Sequence, residues 1–315
     1  MSPLFPIPPF TPSARQLPFA KFHGAGNDFI LVDDPEAAFP DPDAALIARL
    51  CARRTGIGAD GLILLRPSTP DGAAAARMCF FNSDGSRAAL CGNGLRCLAF
   101  FTYLQRRAPA AMRLQTDAGL LSAELLSLEP VSGAAGDAPP AVASVRVQLP
   151  PPADERLNLS LDFGDASFQL HHLDTGVPHA VHFLAPADPS VLAAFPLATF
   201  GPFVRHHALF APAGANIDVC LPIPPSTLHI RTYERGVEAE TLACGTGATA
   251  AACLAARLGL LDPTRPITVL PALGTPLVVT PPTAASPSPY LLGPAHLAYA
   301  ATAPLRPPSA PAPAL

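Results

Sequence analysis

Apolar residues fall along this chain in short runs and helical stripes that alternate. Phe29–Val32 is an apolar run of strand length. Asp43–Arg53 places Leu46, Ile47, Leu50 and Cys51 at helical spacing, with Asp43 near the start and Gly56 past the end, which predicts an amphipathic helix. Leu62–Leu65 and Met78–Phe81 read as strands, and Leu95–Leu104 as an apolar helix broken before Pro109. Val145–Leu149 alternates as a strand does. The second half repeats this syntax. Strands are expected at Ala180–Leu184, Ile217–Leu221 and Leu228–Tyr233, then a helix at Ala248–Leu258 with Gly259 as its C-cap. Ile267–Leu270, Leu277–Thr280 and His296–Tyr299 finish the pattern as strands.

The repetition is closest around two cysteines. Phe80–Asn82 precedes Leu90-Cys91-Gly92-Asn93-Gly94, and Tyr233–Arg235 precedes Ala243-Cys244-Gly245-Thr246-Gly247. In both halves the aromatic residue stands eleven positions before the cysteine and a helix follows. A duplicated α+β unit with one cysteine per copy is the economical reading, and its period is too long for a solenoid or propeller. Two similar lobes facing each other across a cleft are expected.

Composition narrows the class. At 315 residues, 49% hydrophobic and 14% charged, the chain can bury one large or two medium cores. A net charge of −4 without a basic run speaks against a nucleic-acid partner. Thr241–Leu261, the longest apolar stretch, is rich in Gly, Ala and Thr and carries Arg257, so it reads as a buried helix and not as a membrane span. The first twenty residues lack the basic start of a secretory signal and are broken by prolines. Seven cysteines without a dense framework suit a reducing compartment, and the cytoplasm is the expected location. The 41 prolines cluster as punctuation. Residues 1–18 and 304–315 read as extended or disordered tails, and 129–143 and 280–289 as loops.

The cysteine motifs carry the chemistry. The first turn of a helix leaves backbone N–H groups unpaired and partly positive. Glycines there let a ligand approach closely. A carboxylate can rest on the amides of Gly92 and Asn93, or of Gly245 and Thr246, and the same field favours a thiolate. One such motif is also found on ordinary buried cysteines; two at matching places in a duplicated fold point to a pair. Two facing thiols suit inversion at a carbon, one removing a proton from one face and the other delivering one to the opposite face. Aimed amides would carry the negative charge that develops. Pyridoxal chemistry needs a Schiff-base lysine, and Lys21 is the sole lysine, with no phosphate-cradling loop beside it. No cofactor is expected. The other cysteines lie in apolar runs without C-x-x-C spacing, so no metal is expected either.

Eight segments together resemble the diaminopimelate epimerase family: KFHGAGNDF (21–29), TGIGADGLI (55–63), FNSDGS (81–86), LCGNGLRC (90–97), TGVPH (175–179), GANID (214–218), YERG (233–236) and ACGTGA (243–248). The resemblance implies two pseudo-symmetric α+β domains, each a barrel-like, mostly antiparallel sheet around a central helix, with the active site in the cleft between them. It implies an N-terminal domain over 19–148 to which a final strand, 294–303, returns, and a C-terminal domain over 149–293. It also implies an isomerase that converts LL-2,6-diaminopimelate to the meso form for lysine and peptidoglycan precursors, without metal or cofactor. Cys91 and Cys244 match the acid/base pair. His179 and Glu234 match residues that tune the thiols and orient the substrate. Asn27, Asn82, Asn216, Glu234 and Arg235 match substrate ligands, and Gly92–Asn93 and Gly245–Thr246 match the amides that hold the reacting carboxylate. The partner expected is a small amino acid, with no nucleic acid or membrane; a homodimer stays open.

Plainer roles stand beside these. Asn27, Asn82 and Asn216 could each shape a turn, Arg235 could form a surface ion pair, and His179 could be structural. Two positions depart from the family: Val177 stands where many members have Asn, and Gly61 where some have glutamine. Gly56–Gly61 matches G-x-G-x-x-G literally, but it follows a helix and precedes a strand, the reverse of a dinucleotide fingerprint, and reads as a tight turn. The alternatives are a related isomerase of the same fold, resembling proline racemase or a phenazine-pathway isomerase, and a non-catalytic binding module closed by a Cys91–Cys244 disulfide.

Overall fold

The structure is a computed structural model that describes residues 7–11, 16–40, 43–69, 72–130, 140–185, 188–272 and 274–305. The first half runs β1 (Gln16–Gly24), β2 (Asn27–Asp33), α1 (Ala44–Cys51), β3 (Gly61–Arg66), β4 (Ala76–Asn82), β5 (Arg87–Ala88), α2 (Gly92–Leu104), β6 (Ala111–Thr116), β7 (Gly119–Pro130) and β8 (Pro140–Gln148). The second runs β9 (Ala153–Phe163), β10 (Ala166–Asp174), β11 (Pro178–Phe183), α3 (Pro189–Ala194), α4 (Leu197–Arg205), β12 (Asn216–Ile223), β13 (Thr227–Glu234), β14 (Ala239–Thr241), α5 (Gly245–Arg257), β15 (Ile267–Pro271), β16 (Leu277–Thr280) and β17 (Tyr290–Pro304).

Pairing closes the first half into a barrel in the order β1-β2-β3-β4-β6-β7-β8-β17 and back to β1. Only β2–β3 and β4–β6 are parallel, and a helix lies between the strands of each such pair, because a parallel neighbour needs a crossover. The second half repeats the scheme. β10-β11-β12-β13-β15-β16-β17 follow one another, and the parallel pairs β11–β12 and β13–β15 are again bridged by helices. The fold is α+β, with two pseudo-symmetric domains. The second half completes the first, since the far end of β17 pairs with β1, while β9 pairs with β10 within the second half. The near end of β17 pairs with β8 from Tyr290↔Gln148 to His296↔Val142, so one sheet runs through both domains.

In each half the strands wrap a helix that is buried on almost every side and is mostly apolar for that reason. In α2 all residues but Tyr103 are buried, and α5 is buried from Gly245 to Ala256. The alanines of α5 let its sheet close tightly; Ala248, Ala250, Ala251, Ala252 and Ala255 are fully buried. α1 and α4 pack outside, α1 over a layer with Ile30, Leu62 and Leu64, and α4 over a layer with Ile217, Val219 and Tyr233.

Several expectations change. Both central helices begin three residues earlier than their apolar spacing suggests, at Gly92 and Gly245, because the first turn is glycine, Asn and Thr. β1, β6, β7, β9 and β10 were not among the strands expected from the pattern; β9 and β10 carry charged and histidine residues that mask it. Of the supposed loop 129–143, Glu129–Pro130 end β7 and Pro140–Ala143 begin β8, while 131–139 lie outside the described residues. The supposed N-terminal tail is tied down where it is described. Residues 16–18 belong to β1, Ile7 and Phe10 are buried, and the Phe10 N–H donates to Asp33 O at 2.7 Å. At the C-terminal end Pro304 closes β17, and 306–315 lie outside the described residues. The glycine-rich segment 56–61 is a turn between α1 and β3, with Gly58 at φ +82°. Among the described residues no helix is long and apolar enough to cross a membrane.

Candidate active site

Cys91 and Cys244 occupy the same structural position in the two copies. Each is the N-cap of its central helix in extended conformation, at φ −138° and −117°. The two helix starts abut. A Cβ on Gly245 would lie 2.8 Å from Asn93 Oδ1 and 3.4 Å from Asn93 N, and one on Gly92 would lie 3.8 Å from Gly245 C. Glycine at both positions therefore lets two positive helix ends meet at one place. Asn93 ties the junction: its buried side chain donates to Ala243 O at 3.2 Å and to Asn27 Oδ1 at 3.4 Å.

The two thiols are free and half-buried, and their surroundings differ. Cys91 Sγ accepts from Gly94 N at 3.4 Å, and its thiol donates to Asn27 Oδ1 at 3.7 Å. Burial pushes it up to about 12, against the pull of the Gly94 amide; the Glu234 carboxylate adds to the rise and the Arg96 guanidinium opposes it. Cys244 Sγ lies 3.4 Å from Thr246 Oγ1. Burial pushes it well above the ordinary thiol range, and Glu234 and Asp218 push the same way.

A cavity of about 450 Å³ opens beside Cys91. Asn27, Asn82, Asn216, Glu234 and Arg235 all line it, so the structure brings together these five polar residues from four strands and a turn. Asn27 is held by donation to Asp60 Oδ2 at 2.7 Å, and Asn82 by donation to Ser86 Oγ at 3.0 Å. Glu234 accepts from the Thr241 hydroxyl at 2.5 Å; burial raises its carboxyl, with that hydrogen bond opposing. Glu234 and Arg235 do not pair with each other. Among the described residues the Arg235 guanidinium makes no ion pair; it donates to Ala213 O at 3.4 Å. A half-buried guanidinium that lines the cavity and makes no ion pair among the described residues suits a carboxylate ligand.

Cys244, Gly92, Asn93, Gly245, Thr246 and His179 are not among the residues that line this cavity. His179 is wholly buried on β11. Its Nδ1 lies 2.7 Å from Asp218 Oδ2, and its Nε2 lies 3.0 Å from Thr246 Oγ1 and 3.3 Å from Asn216 Nδ2. Asp218 and the buried Arg96 lie inside the segments GANID and LCGNGLRC, but the motifs assign neither of them a role. Asp218 carried a legible signal: it lies two residues after Asn216, and on a strand that spacing shares a face. Arg96 looked like an ordinary helix residue, and nothing local announced its burial. The apolar wall holds Phe29, Phe80, Leu90, Val177 and Val237. Gly61 has no room for a side chain, since a Cβ there would fall 2.6 Å from both Phe80 Cε2 and Phe81 O. Lys21 is buried, paired with Asp28 at 2.8 Å, and bonded to Gly58 O, so it braces the turn after α1. Among the described residues no three His, Cys, Asp or Glu side chains form a metal cluster.

Solved structures share this architecture. A hydroxyproline epimerase from Agrobacterium vitis superimposes with a TM-score of 0.70 over 94% of each chain at 16% identity. A phenazine biosynthesis protein from Bacillus anthracis gives 0.64 over 91% of this chain and 99% of its own, at 13% identity. At such identities they establish the fold alone. Sequence relatives go further. The diaminopimelate epimerase of Aquifex aeolicus is 36% identical over 83% of this chain and 88% of its own, and that of Synechococcus elongatus 38% identical over 78% and 85%. Fold and relatives place the chain among the epimerases, enzymes of the isomerase class. Within that class, the profile of diaminopimelate epimerase matches residues 19–138 and 172–297, and the chain belongs to that family.

Proposed function

We propose that this protein converts LL-2,6-diaminopimelate to the meso form by two-base proton transfer between Cys91 and Cys244, feeding lysine and peptidoglycan precursor synthesis in the cytoplasm. The observation that carries the reading is the pair of cysteine N-caps on abutting helix starts. The reacting carboxylate rests on the amides of Gly92–Asn93 and Gly245–Thr246, where both helix ends stabilise negative charge. One thiolate takes the α-proton, and the other thiol protonates the opposite face of the carbanion. The amides carry the intermediate's charge without an electron sink. Glu234 and Arg235 receive ammonium and carboxylate groups, Asn27, Asn82 and Asn216 complete the polar contacts, and His179 orients the residues around Cys244.

The test is proton exchange. The purified protein in deuterium oxide should incorporate deuterium at the α-carbon of diaminopimelate. Cys91→Ala and Cys244→Ala should each lower turnover by at least about 10³-fold, in the upper part of the range for loss of an acid or base. Near-native turnover in either variant refutes the two-base reading. Val177, in place of the family's usual Asn, sits in the apolar wall. Val177→Asn should leave kcat/KM for diaminopimelate within about threefold or raise it, since the change is worth less than one ordinary hydrogen bond. A large loss would point to a related isomerase with another substrate, and assays with proline and hydroxyproline would identify it.

A further inference from the structure

We propose that Asp218 is a positioning residue for Cys244: it fixes His179 as the Nδ1–H tautomer and, through the Thr246 hydroxyl, keeps Cys244 the protonated member of the cysteine pair. Its catalytic meaning rests on the epimerase reading; its test does not.

The proton positions follow from donor geometry. The backbone N–H of Arg235 can only donate, so the Asn216 atom facing it at 2.8 Å is the acceptor Oδ1. The Asn216 NH₂ group therefore faces His179 Nε2 at 3.3 Å. A donor cannot face a donor, so Nε2 is bare and accepts. The ring proton then sits on Nδ1 and is donated to Asp218 Oδ2 at 2.7 Å. Asp218 Oδ1 accepts from the Thr232 hydroxyl at 2.7 Å, so both oxygens of this wholly buried carboxylate are fixed.

The one lone pair of bare Nε2 is shared, and the Thr246 hydroxyl at 3.0 Å stands closer to it than the Asn216 NH₂ at 3.3 Å, so the hydroxyl hydrogen is drawn toward the ring. An oxygen whose hydrogen is used turns lone pairs toward its other neighbour, and that neighbour is Cys244 Sγ at 3.4 Å. A thiol can donate to those lone pairs; a thiolate would oppose them. Becoming a thiolate requires the hydroxyl to rotate toward sulfur and leaves Nε2 to Asn216. The surrounding charges agree. Cys244 faces Glu234 of β13 and Asp218 of β12, with neutral His179 of β11 between. Cys91 faces Glu234 and Asn27 but has the Arg96 guanidinium on its own helix. The helix end alone favours a thiolate at either position; Asp218 opposes it at one. It is packed against the first turn of α5, where a Cβ on Gly247 would fall 2.6 Å from its Oδ1. Of the two thiols Cys91 therefore gives up its proton first, which makes it the base and Cys244 the acid of the pair.

Asp218→Asn keeps the shape and removes the charge. Without the carboxylate on Nδ1–H, Nε2 becomes a weaker acceptor and loosens its hold on the Thr246 hydroxyl hydrogen, which is freed for sulfur. Iodoacetamide labelling across pH, read by mass spectrometry for each cysteine peptide, should show the Cys244 midpoint falling by about one pH unit with Cys91 unmoved. At pH 7 Cys244 should label about threefold faster, a tenfold gain in thiolate partly offset by lower nucleophilicity. An unmoved Cys244, or an equal shift in both cysteines, overturns the proposal. In a Thr246→Val background the shift caused by Asp218→Asn should shrink by more than half; a full shift there refutes the hydroxyl link. In the unmutated protein, ¹⁵N NMR should find His179 protonated on Nδ1, and protonation on Nε2 would overturn the tautomer assignment. Labelling and NMR need no substrate, so failure to turn over diaminopimelate would sink the epimerase reading and leave these results standing.

Discussion

Arg96 lies five positions after Cys91, inside α2, and is wholly buried. Its Nε donates to Pro294 O at 3.3 Å, while Nη1 and Nη2 have no partner among the described residues. Burial lowers it to about 10, so it stays a cation at neutral pH. An isolated buried charge is costly, and what this one offers is a cation near Cys91 that favours its thiolate. Arg96→Met should slow iodoacetamide labelling of Cys91 at pH 8 by about threefold or more, because the cation favours the thiolate. Stability should change by no more than about 1 kcal/mol, since an apolar residue of similar volume replaces a poorly compensated ion. Unchanged labelling would make Arg96 a structural residue. The cysteines themselves were legible as C-G-x-G motifs. Arg96 was not, because its burial depends on β1 and β17, which approach it at Gly24 and Gly293 from opposite ends of the chain.

Among the elements, the junction of α2 and α5 decides whether a site exists. Apolar spacing located both helices but not their first turns, where glycine and polar residues replace the stripe. Those turns are where the helices touch. Gly245→Ala would bring a Cβ to 2.8 Å from Asn93 Oδ1 and 2.9 Å from Leu291 Cδ2. Overpacking of this kind costs about 1–3 kcal/mol, so the urea midpoint should fall and turnover should fall with it. Gly259→Ala is the control. Nothing lies within 4 Å of a Cβ there and φ is +72°, so only left-handed strain of about 1–2 kcal/mol applies and the site is untouched. If Gly245→Ala keeps full turnover, close abutment of the helices is not required.

For the whole molecule, pH stability is set partly by the brace around Asp28. Burial alone would raise its carboxyl, but hydrogen bonds from Arg53 and Lys21 outweigh burial and hold it well below the usual carboxylate range. A depressed carboxylate contributes stability above its unfolded value of about 3.9 and loses it as pH falls toward the folded value. Acid unfolding should therefore steepen below about pH 4, and Asp28→Asn should flatten that fall while lowering stability at pH 7; circular dichroism across pH 2–7 measures both. The sequence by itself determined the duplication, the core helices and the cysteine that stands before each of them, because periodicity, helix starts and glycine turns are local patterns. Only the tertiary structure decided that β17 closes the first barrel, that two distant helix ends meet, and that Asp218 and Arg96 give two like cysteines unlike surroundings. Those facts depend on which segments become neighbours, and burial, charge pairing and hydrogen-bond direction exist only once they have.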